Sequence, residues 1–138
     1  MRNAWRCAAA AALLAGLMLP AQAAEQRDVS GEYVMAGKGV GENDRPYVGT
    51  CTLKAIDTIY EVSCFNSDTR HTYSGKGVLL GDQFSTVIGD TLRGDHSAAV
   101  YSGEYLVVYL LSPDNSMKGR WVHMTSGAHG EETLTPKK

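Results

Sequence analysis

After residue 23 the chain lacks any apolar run approaching the ~20 residues that a membrane-spanning helix needs. It also lacks a basic excess: 13 Lys and Arg stand against 15 Asp and Glu, a formal net charge of −2. That balance offers no electrostatic footprint for nucleic acid or an anionic membrane, and the Lys137-Lys138 pair at the tail reads as solvated. No window sustains helical periodicity, which excludes a helical bundle. Cysteine is scarce, with Cys7, Cys51 and Cys64 the only three. No convergent set of acid, base and nucleophile is present, so the chain is not expected to be an enzyme and no cofactor is implied.

What is present begins with an export signal. Arg2 and Arg6 precede an apolar run at 8–19, Pro20 ends it, and Ala21-Gln22-Ala23 supplies the small residues that a signal peptidase reads. Cleavage is expected after Ala23, removing Cys7 and leaving 24–138 as one domain in the periplasm or the medium. In an oxidising compartment the two remaining cysteines favour a disulfide over a metal site or a catalytic thiol.

The spacing places that disulfide on one hairpin. A two-residue turn at Asp57-Thr58 pairs Ile56 with Ile59, Ala55 with Tyr60, Leu53 with Val62 and Cys51 with Cys64. One face then carries Cys51, Leu53, Ala55, Tyr60, Val62 and Cys64, and the other Thr50, Thr52, Lys54, Glu61 and Ser63. The register that separates apolar from polar is the register that joins the sulfurs. Such a bridge stabilises by about 2–3 kcal/mol.

Period-two alternation and turn residues continue along the chain. Strands are expected at 30–38, 69–79, 83–89, 97–102, 105–111 and 116–124, with a turn near Gly103-Glu104 and a last segment at 131–135. About eight short antiparallel strands in simple order predict an all-β, up-and-down barrel, with a β-sandwich as the alternative. Longer connections at 39–45, 90–96 and 112–115 are expected to gather at one end as a mouth, with 124–130 the exception. Glycines within strands, as in Gly75-Lys76-Gly77, read as bends.

Alternation turns Tyr33, Met35, Tyr47, His71, Tyr73, Phe84, Thr86, Ile88, Met117, Trp121 and His123 inward, with Met35, Tyr47, His71, Ile88 and Met117 nearest the mouth. The plain expectation is a filled interior. The alternative is a ligand site formed by Met35, Tyr47, His71, Tyr73 and Trp121. Tyr105, Val107, Tyr109 and Leu111 alternate with Leu106, Val108 and Leu110, so 105–111 is apolar on both faces. The terminal segment is expected to cover the outer stripe; a homodimer through 105–111 is the alternative.

Other candidate chemistry fails on geometry. Asp95, His96 and Ser97 are adjacent, and neighbouring side chains of an extended segment point apart, so they form no relay. His123, His129, Glu131 and Glu132 lack a third ligand at a diagnostic spacing, and no metal is expected. Gly37-Lys38-Gly39-Val40-Gly41 is followed by no helix start and therefore lacks the aligned N–H groups of a phosphate cradle. Arg93-Gly94-Asp95 resembles the integrin-recognition tripeptide, which would imply adhesion through a partner loop.

Two longer segments carry a family resemblance. Val107-Val108-Tyr109, then Ser116-Met117-Lys118-Gly119-Arg120-Trp121, then Gly130-Glu131-Glu132-Thr133-Leu134 resemble the closing strands of small exported bacterial barrel proteins of uncertain role. Gly31-Glu32-Tyr33-Val34 with Tyr47-Val48-Gly49 is similar to their opening hairpin. In plan the chain also resembles avidin-like and lipocalin-like barrels, without the polar biotin-site pattern or the lipocalin Gly-x-Trp opening. The resemblance implies fold. The expected function is non-catalytic binding of a small apolar or peptide ligand at the barrel mouth or interior. The alternative is a proteinaceous inhibitor of an extracytoplasmic enzyme such as a lysozyme; in either case the small-molecule or protein partner is unknown.

Overall fold

A computed structural model describes residues 27–41, 44–91 and 101–138. The expected leader, the Arg93-Gly94-Asp95 tripeptide and the Asp95, His96 and Ser97 set lie outside the described residues. Eight antiparallel strands follow in order: β1 (Gly31–Gly39), β2 (Pro46–Ile56), β3 (Ile59–Asn66), β4 (His71–Leu80), β5 (Gln83–Thr91), β6 (Tyr101–Leu111), β7 (Met117–His123) and β8 (His129–Pro136). Each pairs with the next, and β8 returns to β1, closing an up-and-down barrel rather than a sandwich. Closure pairs both edges that an open sheet would expose. Among the described residues no helix is long and apolar enough to cross a membrane.

The disulfide hairpin has the expected register throughout, from Ile56 opposite Ile59 to Cys51 opposite Cys64. The two cysteines are bonded, with Cα atoms 4.0 Å apart. Asp57 adopts a φ of 54° at the turn, a left-handed conformation that an aspartate tolerates. Cys51, Leu53, Tyr60, Val62 and Cys64 are all buried on the inner face.

The turn expected at Gly103-Glu104 is corrected; of the strand expected at 97–102, residues 97–100 lie outside the described residues and 101–102 open β6. β6 runs unbroken through Gly103 and Glu104, and the irregularity lies in its pairing with β5, where the register shifts between Gly89 and Thr91. The glycine therefore marks a bulge rather than a reversal. Merging two expected strands changes the parity of everything downstream. β1, β3, β5 and β7 end at one rim, which also carries the connections 67–70 and 124–128. The connections 57–58, 81–82 and 112–116 lie at the other end, the base. So 112–115 belongs to the base, 124–128 to the mouth, and Met117 sits at the base beside Leu111.

The base is closed by side chains. Tyr33, Leu53, Phe84, Met117 and Leu134 are almost wholly buried there. Phe84 packs edge-on against Tyr60 at 5.5 Å and stacks with Tyr109 at 6.3 Å. The segment preceding β1 stoppers this end: Val29 is 0% exposed, and its carbonyl accepts a 2.8 Å bond from the Tyr33 hydroxyl. Arg27 staples two base turns, donating to Asp82 Oδ1 at 2.9 Å, the Ser112 carbonyl at 2.6 Å and Asn115 Oδ1 at 2.7 Å.

The outer stripe of β6 is not covered by the terminal segment. β8 lies edge-on between β7 and β1, and Leu110 remains 64% exposed.

Candidate functional site

The barrel's other half is hollow. A cavity of about 230 Å³ opens at the mouth, with Gly39, Arg45 and Thr69 at its rim and Met35, Cys64 and Val107 at its floor. The same bridge that pins the hairpin therefore underlies the cavity, where Met35 Sδ lies 3.6 Å from Cys51 Sγ. Tyr47, Tyr73, Tyr105, Trp121 and Ile88 wall it, and Glu132 joins the wall from β8.

Four of the five expected ligand residues, Met35, Tyr47, Tyr73 and Trp121, line this space. His71 does not. It stands half-exposed at the rim, its Nδ1 2.8 Å from the largely buried Asp90 carboxylate. Met117, expected near the mouth, lies at the other end for the parity reason already given. The His123, His129, Glu131 and Glu132 set is split by the pleat. Glu132 is buried inside, while His129 and Glu131 are exposed. His123 bonds Ser126 Oγ at 2.8 Å, and among the described residues no three His, Cys, Asp or Glu side chains cluster as a metal site would need.

Glu132 is the residue that sequence reasoning missed as an interior group. It is 8% exposed, a carboxyl set among aromatic and aliphatic side chains. Its position follows from one row of the register: Tyr109 on β6, Gly119 on β7, Glu132 on β8, Gly37 on β1 and Tyr47 on β2. The row alternates ring, glycine, carboxyl, glycine, ring. A Cβ on Gly37 would stand 2.3 Å from the Tyr47 hydroxyl oxygen, and one on Gly119 would stand 2.5 Å from Tyr109 Cδ1. These glycines are therefore not simply bends. Each vacates the space through which a tyrosine leans toward the carboxyl. Tyr47 donates to Glu132 Oε2 at 2.6 Å, and Tyr109 donates to Oε1.

The electrostatics follow from burial. Removal from water pushes the Glu132 carboxyl above the usual carboxylate range, and the two phenol donors offset only part of that rise. Burial, reinforced by the neighbouring carboxylate, raises the Tyr47 and Tyr109 hydroxyls, so both remain donors across the pH range of a folded protein. Tyr73 and Tyr105 are raised chiefly by burial as well. Trp121 Nε1 is buried without a well-formed hydrogen bond to any of the described residues, and its N–H bears on the Tyr47 hydroxyl, offsetting a little of the rise that burial imposes there. Such groups are uncommon in native interiors and cost free energy when left bare.

The mouth is braced on one side. Asn66 Oδ1 accepts from the Asp68 and Thr69 amides at 2.9 and 3.1 Å, and Asp68 Oδ2 accepts from the Val48 amide at 3.1 Å. The 67–70 connection is thereby tied to β2 and β3. With this geometry in hand, comparison with known proteins adds no relative: no protein-family model matches the chain, and no curated protein matches it significantly.

Proposed function

We propose that this chain is an exported, non-catalytic binding protein that takes a small ligand into the open half of its barrel. The observation that carries the reading is the asymmetry of the interior. One half is packed and stoppered, whereas the other holds a 230 Å³ cavity walled by tyrosines and a tryptophan. At ~30 Å³ per molecule that is room for several waters, or for one compact organic molecule. A void bordered by aromatic side chains, a methionine and the Glu132 carboxyl suits a ligand with an apolar body and a polar handle. The interior charged groups are held by each other and by phenols, as Asp90 is by His71 and Glu132 by Tyr47 and Tyr109, which favours recognition over turnover. The disulfide suits an oxidising compartment and supports export. The lipocalin-like and avidin-like barrels that the sequence resembles in plan hold one small ligand inside, which supports the reading.

A thermal-shift screen of small apolar compounds and short peptides tests this. A true ligand at a hundred times its Kd adds about 2.7 kcal/mol of stability. Ile88→Phe, which fills the void from its wall, is expected to abolish the shifts while the variant itself stays folded. Shifts that persist in Ile88→Phe would place binding elsewhere and overturn the reading.

A further inference from the structure

We propose that the open half is a receptor site for a small organic ammonium ion, enclosed by the ring walls of Tyr73, Tyr105 and Trp121 and neutralised by Glu132. This deepens the ligand-site reading and rests on it.

Two observations carry the chemistry. The first is the ring geometry. Tyr73 and Tyr105 meet at 90° with centroids 5.5 Å apart, and Tyr105 meets Trp121 at 71° and 5.8 Å. The three rings meet edge to face and all line the one cavity. A ring face turned to that volume attracts a cation more than a neutral group of the same shape.

The second is the carboxyl. A buried acid beside a void relieves its desolvation either by holding a proton or by facing a cation in the void. Each oxygen of Glu132 takes one phenol proton, and each keeps a lone pair. Neither phenol has a second proton to give, so the remaining lone pairs are open to a donor or a positive charge from the cavity. A purely apolar occupant would strip residual water from the carboxyl and return nothing. Among the described residues lining the cavity the competing cation is Arg45, an exposed residue of the rim, where water screens its charge far more than burial lets water screen Glu132.

Together these describe a compact organic ammonium group.

Trp121 supplies the readout, because the only other tryptophan, Trp5, falls in the expected leader. Intrinsic fluorescence of the exported protein therefore reports the site directly. The probes are choline and its neutral isostere 3,3-dimethylbutan-1-ol, which keeps the hydroxyl and replaces nitrogen by carbon; glucose serves as a neutral hydroxylated control. Choline is expected to change Trp121 emission and to bind at least about tenfold more tightly than the isostere. In Glu132→Gln that preference should collapse while the isostere's affinity holds, with near-ultraviolet circular dichroism reporting the fold. Tyr105→Leu, which removes a wall and leaves the acid, should also weaken choline more than the isostere. Equal or tighter binding of the isostere or of glucose would overturn the ammonium assignment and leave the small-ligand reading standing. Silence toward choline at millimolar concentration would overturn the assignment too; only if the apolar and peptide screen were equally silent would the ligand-site reading fall with it.

Discussion

The two halves of this barrel are built from the same eight strands and treat their inner faces in opposite ways. Toward the base, Tyr33, Phe84, Tyr109 and Met117 fill the section, and Val29 and Arg27 seal it. Toward the mouth, side chains of similar size stand against the wall and leave the axis empty. Aromatic content therefore does not decide whether a small barrel is solid; what decides is where each ring can lean. Tyr47, on the cavity wall, lies over Gly37 and reaches sideways to Glu132 instead of across the barrel, whereas Tyr109 meets the other carboxyl oxygen from within the packed base. Stability is expected to be concentrated at the base and selectivity at the mouth.

That division can be broken in graded steps. The largest effect is expected from Phe84→Ala at the base, about 3–5 kcal/mol by denaturant titration, a large part of what a domain of this size possesses. Its counterpart Ile88→Ala, on the cavity wall, should cost only about 1–2 kcal/mol, below the usual range for truncating a buried aliphatic, because the side chain already borders a void. Equal losses would show that the halves do not differ energetically. Next comes the bridge at their boundary. Replacing Cys51 and Cys64 together by alanine should cost about 2–3 kcal/mol, seen as a lower midpoint that reducing agent no longer shifts. Arg27→Ala, which unpins two turns at a partly exposed site, should cost about 1–2 kcal/mol and leave ligand binding unchanged.

The smallest effect has a diagnostic sign. Because the folded Glu132 carboxyl titrates above its unfolded value, ionising it disfavours the fold. The penalty is absent below the unfolded pKa of about 4.3, grows as pH rises through the folded value, and is complete above it. Without ligand, Glu132→Gln should therefore be more stable than the parent above the folded pKa, with the advantage vanishing in acid. A variant less stable at every pH would mean that the carboxyl's bonds outweigh its desolvation.

The base was largely legible in the sequence because separate constraints agreed there. At the Asp57-Thr58 hairpin, turn residues, face segregation and the cysteine pair all select one register. The mouth was legible only in part. Met35, Tyr47, Tyr73 and Trp121 follow from alternation, but reading Gly103-Glu104 as a turn moved every later connection to the wrong end and took Met117 with it. Glycine followed by a polar residue signals a reversal and a bulge alike; only pairing with β5 distinguishes them. Glu132 did leave a trace. It shares its phase with Gly130 and Leu134, both buried, so an acid on the inner phase of a terminal strand was visible before any coordinates. What could not be read was the company it keeps, since Tyr47, Gly37, Gly119 and Tyr109 come together only when β8 closes on β1.

The Arg27 staple has a geometric consequence for how the molecule would be displayed. Residue 27 leaves the barrel at the base, and so does the chain after β8, where the Lys137 amide bonds the Glu32 carbonyl at 2.8 Å. A tether attached at either terminus would hold the molecule by its sealed pole, with the aperture pointing away from the anchoring surface and free to sample the surrounding fluid.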